Sequence, residues 1–425
     1  MKTVLIIAPQ FSPSSYPPTH RVRYFTNHLE EFGWFPIVST VEPDFLEEPP
    51  DWQFANIIPD CLKIVRSKAL SFKWTRKLGI GDLGIRAFWH QLQSAREICR
   101  QQTIDLLFIP GPPWHTFLVG RIIKKELGIP YVMDYIDPWV MSLGKDDPPW
   151  TKAYWFRKMA IALEPFAVKE TAQITAVSAG TNEGVRARYP TLSPSQFTSI
   201  PYGGELTDFE YIKKHPQHNS FFCADDRYFN VVYVGAMLPK GYETLRALFE
   251  ALKALKHSEP GVYQRFRFFF VGTTYDPDAK KGLVEPMAIE MGVSDVVTEH
   301  RSRIPFLDAI TVLSQADATL VLGTTEQHYT ASKLYPGIMA NRPLLAIFHE
   351  ASSVVNVLKE TDAGLSVIYN DSERVSQKVD DIKQRLIQLT TWQPNTNWRA
   401  FEQYSARSMT HRLTAVFDKA LAAPN

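Results

Sequence analysis

The sequence predicts two successive doubly wound α/β domains, each with a parallel sheet that helices cover on both faces. The chain has 425 residues, whereas a single hydrophobic core rarely extends beyond about 250–300 residues. Short apolar runs of strand length alternate with segments of helical periodicity along the whole chain. This alternation restarts after residues 200–205, Ile-Pro-Tyr-Gly-Gly-Glu, which have the composition of a linker.

Continuous apolar runs in the first half are typical of strands buried in a parallel sheet. They predict strands at 3–8, 35–40, 106–109, 131–134 and 174–177. Between the first two strands, Val22, Phe25 and Leu29 recur at helical spacing, and Gly33 ends that helix.

The second half of the chain repeats the pattern. Strands are predicted at 229–234, 266–271, 318–322 and 344–348. Helices are predicted near 242–256, 277–292, 305–315, 332–341 and 351–360. We therefore expect an N-terminal domain at 1–203, a C-terminal domain at 204–397 and a final helical stretch at 398–425. Because ligands of open α/β sheets bind beyond the carboxyl ends of the strands, the strand-to-helix loops of both domains are expected to carry the chemistry.

Composition and motifs exclude several classes of protein. The formal net charge of +1 argues against a globally basic nucleic-acid-binding protein, so no nucleic acid partner is expected. Cys61, Cys99 and Cys223 do not have the spacing of a metal-binding pair, and three cysteines are too few for a disulfide framework, which favours a reducing, cytoplasmic setting. The first apolar run ends at Pro9 and is too short for a signal peptide or a membrane span. Neither a Gly-x4-Gly-Lys loop nor a Gly-x-Gly-x-x-Gly motif occurs, which argues against NTPases and dehydrogenases.

Several short motifs follow one another along nearly the whole chain. They are Gly-Pro-Pro-Trp-His at 111–115, a segment at 128–139 that ends in Asp-Pro-Trp, Pro-Tyr-Gly-Gly-Glu at 201–205, Tyr-Val-Gly-Ala-Met-Leu-Pro-Lys-Gly at 233–241, Ser-Lys-Leu-Tyr at 332–335 and Asn-Arg-Pro at 341–343. In this order they resemble glycosyltransferase family 4, whose members have the GT-B architecture of two Rossmann-like domains that face each other across a cleft. The resemblance implies sugar transfer from a nucleoside diphosphate donor to a hydroxyl acceptor, with retention of configuration. Because the sequence has no Cys/His constellation of the metal-binding type, catalysis without a metal or other cofactor is expected. It also implies that the final helical stretch packs back on the N-terminal domain.

The resemblance places the donor site in the C-terminal domain. Lys240 follows the first strand of that domain and could neutralise a diphosphate leaving group, while Gly241 lets the backbone approach. Lys333 and Ser332, a suitable N-cap, lie at the predicted start of a helix, where free N–H groups and the helix dipole favour a phosphate. The alternative for both lysines is a solvated loop side chain. The remaining expected donor contacts are Gly235, Gly272, Leu334 and His328.

Three positions depart from the family pattern. Ala236 stands where relatives carry an arginine, so Lys240 is expected to be the more sensitive of the two lysines. His328 and Pro336 stand where relatives often carry two glutamates, and Glu326 lies nearby but out of register. A degenerate GT-B protein that serves as a binding or scaffold subunit is therefore one alternative to a transferase. A sugar-nucleotide epimerase of the same fold is another.

The resemblance also implies a polar residue near the reacting sugar carbon, in the loop after the strand at 131–134. Asp137 is the first candidate and Asp134 the second. The alternative for Asp137 is a cap on the turn before Pro138, because Asp-Pro commonly starts a turn.

Other acceptor-side candidates lie in two loops that follow predicted strands. They are Tyr16, His20 and Arg21 in the proline-rich loop after the first strand, and Trp114 and His115 in the loop after residues 106–109. For Arg21 the alternative is an exposed arginine at the start of a helix, and for His115 it is a structural role. The acceptor is expected to be a carbohydrate, a lipid-linked compound or a small molecule.

Two clusters of basic and aromatic residues occur in the N-terminal half. Residues 63–100 hold nine lysines and arginines against two acidic residues, interleaved with Phe72, Trp74 and Trp89. A second cluster lies at 150–158. Such surfaces suit anionic lipid headgroups and a peripheral contact with the inner face of a membrane; the alternative is a solvated charged face.

Overall fold

The computed structural model describes residues 1–141, 145, 147–223, 225, 227–274, 282–327 and 329–422. The chain divides into two compact units, Met1–Tyr202 with Ala406–Asn425, and Gly203–Ser405. Each unit holds one parallel sheet with helices between its strands, so the doubly wound α/β class predicted from the sequence is confirmed. Among the helices that the structure describes, none is long and apolar enough to span a bilayer.

The first unit is built on a parallel sheet. Its strands are β1 (Lys2–Ile7), β2 (Trp34–Val41), β3 (Lys63–Ser67), β4 (Leu106–Gly111), β5 (Tyr131–Tyr135), β6 (Gln173–Ala176) and β7 (Phe197–Ser199). Within the described residues they are ordered β3-β2-β1-β4-β5-β6-β7. The helices that connect them are α1 (Pro17–Thr26), α2 (Trp52–Ala55), α3 (Phe72–Thr75), α4 (Leu83–Gln101), α5 (Phe117–Leu127), α6 (Lys152–Val168) and α7 (Ala179–Arg188).

Strand β1 shows why the central strands of this sheet are apolar throughout. Alternate side chains of a strand point to opposite faces of its sheet. Leu5 and Ile7 belong to the core that includes residues of α4, α5, α6 and α7, whereas Val4 and Ile6 belong to a second core that includes residues of α1. A strand buried on both faces has no position where a polar side chain would reach water.

The second unit repeats this architecture. Its strands are β8 (Phe229–Val234), β9 (Phe266–Val271), β10 (Val297–His300), β11 (Ala318–Leu322), β12 (Leu344–His349) and β13 (Leu365–Tyr369). In the part of the unit that the structure describes they are ordered β10-β9-β8-β11-β12-β13. The helices are α8 (Leu206–Lys214), α9 (Tyr242–Ser258), α10 (Pro260–Arg265), α11 (Val284–Met291), α12 (Phe306–Gln315), α13 (Leu334–Met339), α14 (Ser353–Thr361), α15 (Val379–Leu389) and α16 (Trp398–Phe401).

The predicted final helical stretch is interrupted. After α16 the backbone is extended at Ser405, and α17 (Ala406–Ala422) begins in the first unit. There the Phe417 ring lies 5.1 Å from that of Trp34 and 5.4 Å from that of Phe108, so α17 contributes to the core beside α1. The units divide at 202/203 and 405/406, whereas the sequence placed the divisions at 203/204 and 397/398.

Candidate functional site

Two glycines end neighbouring strands at the carboxyl edge of the second sheet. Gly235 follows β8 and Gly272 follows β9, and their φ angles of 120° and 74° lie in the region that favours glycine. The Gly235 N–H donates to the Val271 carbonyl at 2.8 Å, so the two turns lie side by side. Without side chains at these positions, a ligand could approach the main chain of both turns closely.

The Lys333 ammonium lies against the first of these glycines. A Cβ atom on Gly235 would lie 3.3 Å from Lys333 Nζ. Nζ donates to the Tyr233 hydroxyl and to the Ala236 carbonyl at 3.2 Å, and it lies 4.1 Å from the centre of the Tyr233 ring. The side chain is half-buried. Lys333 is therefore held in place at the sheet edge, in contrast to a solvated loop lysine.

A second cation, Arg303, belongs to the same edge. Arg303 follows β10, and its Cα atom would lie 3.7 Å from a Cβ on Gly272. Burial and, to a smaller extent, the positive charge of Arg303 lower the pKa of Lys333 to about 7. Since burial and a neighbouring cation both disfavour the ammonium form, an anion bound beside Lys333 and Arg303 would favour it again. The carboxyl edge of the second sheet thus has the positive charge that an anion-binding site needs.

The helix after these loops is shorter than predicted. Helix α13 spans the six residues Leu334–Met339 in place of 332–341, and its N-cap is Lys333 rather than Ser332. The N-cap role predicted for Ser332 is therefore wrong. So short a helix has few aligned peptide dipoles, and the lysine charge becomes the main attraction for an anion. Leu334 is buried, which gives its side chain a packing role, and Pro336 lies in the first turn, where proline is tolerated.

Lys240 occupies a more open position in the same unit. Its Nζ lies 2.6 Å from a Glu326 carboxylate oxygen, and both side chains are 48% exposed. The Thr325 N–H donates to the Lys240 carbonyl at 3.0 Å, which joins the loops that follow β8 and β11. A Cβ on Gly241 would lie 3.5 Å from the Gly323 carbonyl oxygen, so the backbones are close here as well. Glu326, which the sequence places out of register, is the ionic partner of Lys240.

Glu299 occupies another position where a phosphate could bind. Its carboxylate accepts hydrogen bonds from the N–H groups of Val284 and Glu285, each at 3.0 Å, and from the Thr273 hydroxyl. The protein's own carboxylate thus occupies the N-terminus of α11, where a phosphate would otherwise bind. No local pattern in the sequence indicates this contact. The predicted donor contact His328 lies outside the described residues.

In the first unit, Arg21 and Asp134 bind each other. Arg21 Nε and Nη2 donate to the two carboxylate oxygens at 2.6 and 2.8 Å, and neither side chain has exposed surface. The Thr175 hydroxyl donates to the same carboxylate at 2.6 Å, and Arg21 Nη1 donates to the Pro201 carbonyl at 2.9 Å. This buried pairing gives Arg21 and Asp134 a structural role in place of the predicted acceptor contacts.

Asp137 and Trp114 meet where β4 and β5 end. Trp114 Nε1 donates to the main-chain carbonyl of Asp137 at 2.9 Å, and the Trp114 ring is buried. Asp137 itself is exposed. Trp114 therefore supports the loop on which Asp137, the predicted catalytic carboxylate, is presented.

His115 is buried and pairs with a carboxylate that the sequence did not single out. Its Nδ1 lies 2.9 Å from Asp82 Oδ1, and the same oxygen caps α4 by accepting the Ile85 N–H at 2.9 Å. The His115 ring packs edge-on against Trp139 and Phe156, and Nε2 has no polar partner among the described residues. A carboxylate at Nδ1 favours the tautomer that leaves Nε2 as a hydrogen-bond acceptor. Because Nε2 is itself buried, the contacts of His115 with Asp82 and the two rings give it a structural role.

Tyr16 and His20 lie at the start of α1, beyond the carboxyl end of β1. Tyr16 is the N-cap residue of α1, with extended backbone. His20 Nε2 hydrogen-bonds to the Ser15 carbonyl at 3.0 Å, and its ring packs edge-on against Phe54. Both residues are half-buried, and their acceptor-side role stays a prediction.

Comparison with known proteins identifies the fold. No protein-family model matches this sequence, and no curated protein matches it. Sucrose-phosphate synthase from Thermosynechococcus elongatus superposes with a TM-score of 0.64 at 14% identity, over 100% of both chains. Anabaena Alr3699/HepE in complex with UDP and glucose superposes with a TM-score of 0.63 at 11% identity, over 98% of this chain and 100% of that one. A glycosyltransferase from Rickettsia africae ESF-5 gives 0.58 at 12% identity, over 100% and 99%. At these identities the likeness concerns the fold, and the chain has the GT-B fold of two parallel-sheet α/β domains.

Proposed function

We propose that this protein is a glycosyltransferase that moves a sugar from a nucleoside diphosphate donor to a hydroxyl acceptor. The bond between the anomeric carbon and the diphosphate oxygen breaks, and a bond from that carbon to the acceptor oxygen forms. The acceptor oxygen attacks from the face of the sugar that the diphosphate leaves, so the configuration is retained. The acceptor proton moves to the departing diphosphate on that same face. The acceptor is a carbohydrate, a lipid-linked compound or a small molecule.

The observation that carries this proposal is the cationic edge of the second sheet. Lys333 is held beside Gly235, which follows β8. Arg303 follows β10 and lies beside Gly272. The negative charge of a diphosphate complements the positive charge of both residues. Its negative charge grows as the sugar bond breaks, so fixed cations stabilise the transition state more than the bound donor. The solved HepE complex contains UDP and glucose, which supports a ligand of this class for the same fold.

In this proposal lysine and arginine supply the positive charge that a divalent metal supplies in other transferases. Asp137 lies near the reacting sugar carbon. Tyr16 and His20 line the acceptor side, and the glycine turns and Lys240 lie on the donor side.

Two measurements test the proposal. In a thermal-unfolding screen against nucleoside diphosphates and their sugars, the nucleotides of one base should raise the unfolding temperature, because a bound ligand raises stability by mass action. Turnover of the matching donor with a hydroxyl acceptor should then continue in a strong chelator. Loss of turnover in the chelator and its return with Mg²⁺ or Mn²⁺ would contradict the proposed leaving-group chemistry. Nucleotide binding without turnover on any acceptor would favour a scaffold subunit.

Nucleoside diphosphate binding is expected to weaken above pH 7, by about tenfold for each pH unit. The free protein holds Lys333 at a pKa of about 7, lowered by burial and by Arg303. A bound diphosphate raises this pKa, so binding takes up a proton that the free lysine has lost at higher pH. Calorimetry from pH 7 to 9, in two buffers of different ionisation enthalpy, measures both the slope and the proton uptake. Lys333→Met should remove the slope, and an unchanged affinity across this range in the unmodified protein would contradict the prediction.

Lys240→Ala is expected to lower turnover by only about fivefold, because an exposed ionic contact contributes about 0–1 kcal/mol. Lys240 is half-exposed and already paired with Glu326. Steady-state kinetics of Lys240→Ala and Glu326→Gln separate two roles. If Lys240 contacts the donor, Glu326→Gln frees it and turnover is retained. If both variants lose the same activity, the ion pair only joins the two loops.

A further inference from the structure

The first unit exposes a group of large apolar side chains that its core does not use. The group, here called the tryptophan surface, consists of Leu70, Trp74, Leu78, Trp89, Trp150 and Trp155. These side chains are between 54% and 84% exposed. A single exposed apolar residue is ordinary, but tryptophan is usually well buried, and several exposed together indicate a binding surface.

The tryptophan surface lies on connections that leave the carboxyl ends of two strands. Leu70, Trp74 and Leu78 follow β3 and precede α4. Trp89 lies on α4 itself. Trp150 lies just before α6 and Trp155 lies in its first turn, in the connection that follows β5.

Close packing joins the beginnings of α4 and α6. A Cβ on Gly84, in the first turn of α4, would lie 2.8 Å from the Pro113 Cβ. The Trp114 ring, next in the chain, lies 6.1 Å from that of Phe156 in α6. The two helix starts therefore belong to one end of the unit, with the turn at Pro113 between them.

A buried arginine fixes the segment before α4. Arg86 Nη1 donates to the carbonyls of Leu70 at 2.9 Å and Phe45 at 3.0 Å, and the Leu70 N–H donates to the Arg86 carbonyl at 3.0 Å. Arg86 is itself buried. Leu70 thus projects from a segment tied to α4, which favours a surface formed before its partner arrives.

The charge around these side chains is positive. Between Cys61 and Gly81 the sequence has six lysines and arginines and no acidic residue. Lys73 and Lys77 are exposed, and Lys77 Nζ lies 4.8 Å from the centre of the Trp74 ring. Arg76 pairs with Glu47 at 3.2 Å, which neutralises one of the six.

We infer that the tryptophan surface binds the headgroup region of a bilayer that contains anionic lipids. Indole rings prefer the boundary between headgroups and acyl chains, and leucine side chains beside them add buried apolar area. Lysines that flank such rings gain attraction from an anionic surface. A wholly aqueous polyanion would match the lysines but would leave Trp74 and Leu78 without an apolar partner. The inference does not depend on the proposed sugar transfer, because lipid binding is measured without a nucleotide.

Co-sedimentation with vesicles tests the inference on the full chain. The protein should sediment with phosphatidylcholine vesicles that also contain phosphatidylglycerol, and far less with phosphatidylcholine alone. The binding should weaken as salt is added, because salt screens the attraction between the lysines and the lipid. If the protein stays in the supernatant with the anionic vesicles, the inference is overturned. This holds also if the protein is found to bind an acidic protein or a nucleic acid instead of the vesicles.

Three variants locate the contact. Trp74→Ala with Leu78→Ala, and Lys73→Gln with Lys77→Gln, should each weaken binding by about tenfold or more. Trp398→Ala is the control, because Trp398 is likewise an exposed tryptophan, with 40% of its surface accessible, but lies on α16 of the second unit. All these side chains are exposed, so the thermal unfolding temperature should not change. Equal sedimentation of the two double variants and the unmodified protein would also overturn the inference.

Discussion

Replacing Lys333 with alanine is expected to lower turnover by about 100–1,000-fold, which is the usual cost of removing one fixed group that stabilises transition-state charge. The ammonium is half-buried and held by the Tyr233 hydroxyl and the Ala236 carbonyl, so it needs little reorganisation when the diphosphate departs. Donor affinity should fall less, because the charge on the diphosphate is largest in the transition state. Steady-state kinetics with the donor found by the nucleotide screen measure both quantities. Turnover within a few-fold of the unmodified protein would place the diphosphate elsewhere.

Lys333→Met provides a control for folding, because it keeps the unbranched apolar part of the side chain and removes only the ammonium group. The folded protein holds this lysine at a pKa of about 7, and its ordinary value is 10.5. Between these values the unfolded chain binds more protons than the folded one, so this group makes the free energy of unfolding rise with pH. The methionine variant should lack that rise and should unfold cooperatively at every pH.

The structure reverses the expected order of the two lysines. The sequence favours Lys240 because Ala236 leaves it without a neighbouring arginine. In the folded unit the Ala236 carbonyl instead holds Lys333, whereas Lys240 is half-exposed and pairs with Glu326. We therefore expect the larger loss of activity at Lys333.

The strands that the sequence predicts lie inside the two sheets, and the four that it misses, β3, β7, β10 and β13, are the edge strands. Interior parallel strands are buried on both faces and form continuous apolar runs. An edge strand has neighbours on one side only and often carries charge, which discourages pairing with other chains. In β3, Lys63 and Arg66 are exposed, and in β10, Glu299 and His300 interrupt the apolar pattern.

The missed edge strand β10 accounts for part of what the sequence could not predict about the site. Without that strand, Arg303 has no assigned place at the carboxyl edge, and Glu299 has no assigned place at the start of α11. Gly235, Gly272 and Lys333 can be singled out from the sequence because the two glycines follow predicted strands and Lys333 lies at the start of a predicted helix. The Asp82–His115 contact joins residues that are distant in the chain, so no local pattern could predict it.

Asp134→Ala is expected to lower the free energy of unfolding by about 3–5 kcal/mol, because it leaves the Arg21 charge buried without its partner. Asp134 accepts two hydrogen bonds from Arg21 and one from the Thr175 hydroxyl, and neither charged side chain reaches solvent. Urea unfolding followed by tryptophan fluorescence suits this measurement. Of the ten tryptophans, all but Trp392 and Trp398 lie in the first unit, so the signal reports chiefly on the unit that holds the pair.

The exposed pair Lys2–Asp418 provides the matched control in the same unit. Its atoms are 2.6 Å apart, as close as those of the buried pair, but both side chains are about half-exposed. Asp418→Ala should therefore change the free energy of unfolding by only about 0–1 kcal/mol. Adding Arg21→Met to Asp134→Ala should recover part of the lost stability, because it removes the unpaired buried charge. If Asp134→Ala were no more destabilising than Asp418→Ala, the buried pair would not have the structural role that its geometry indicates, and the acceptor-side role of Arg21 would be open again.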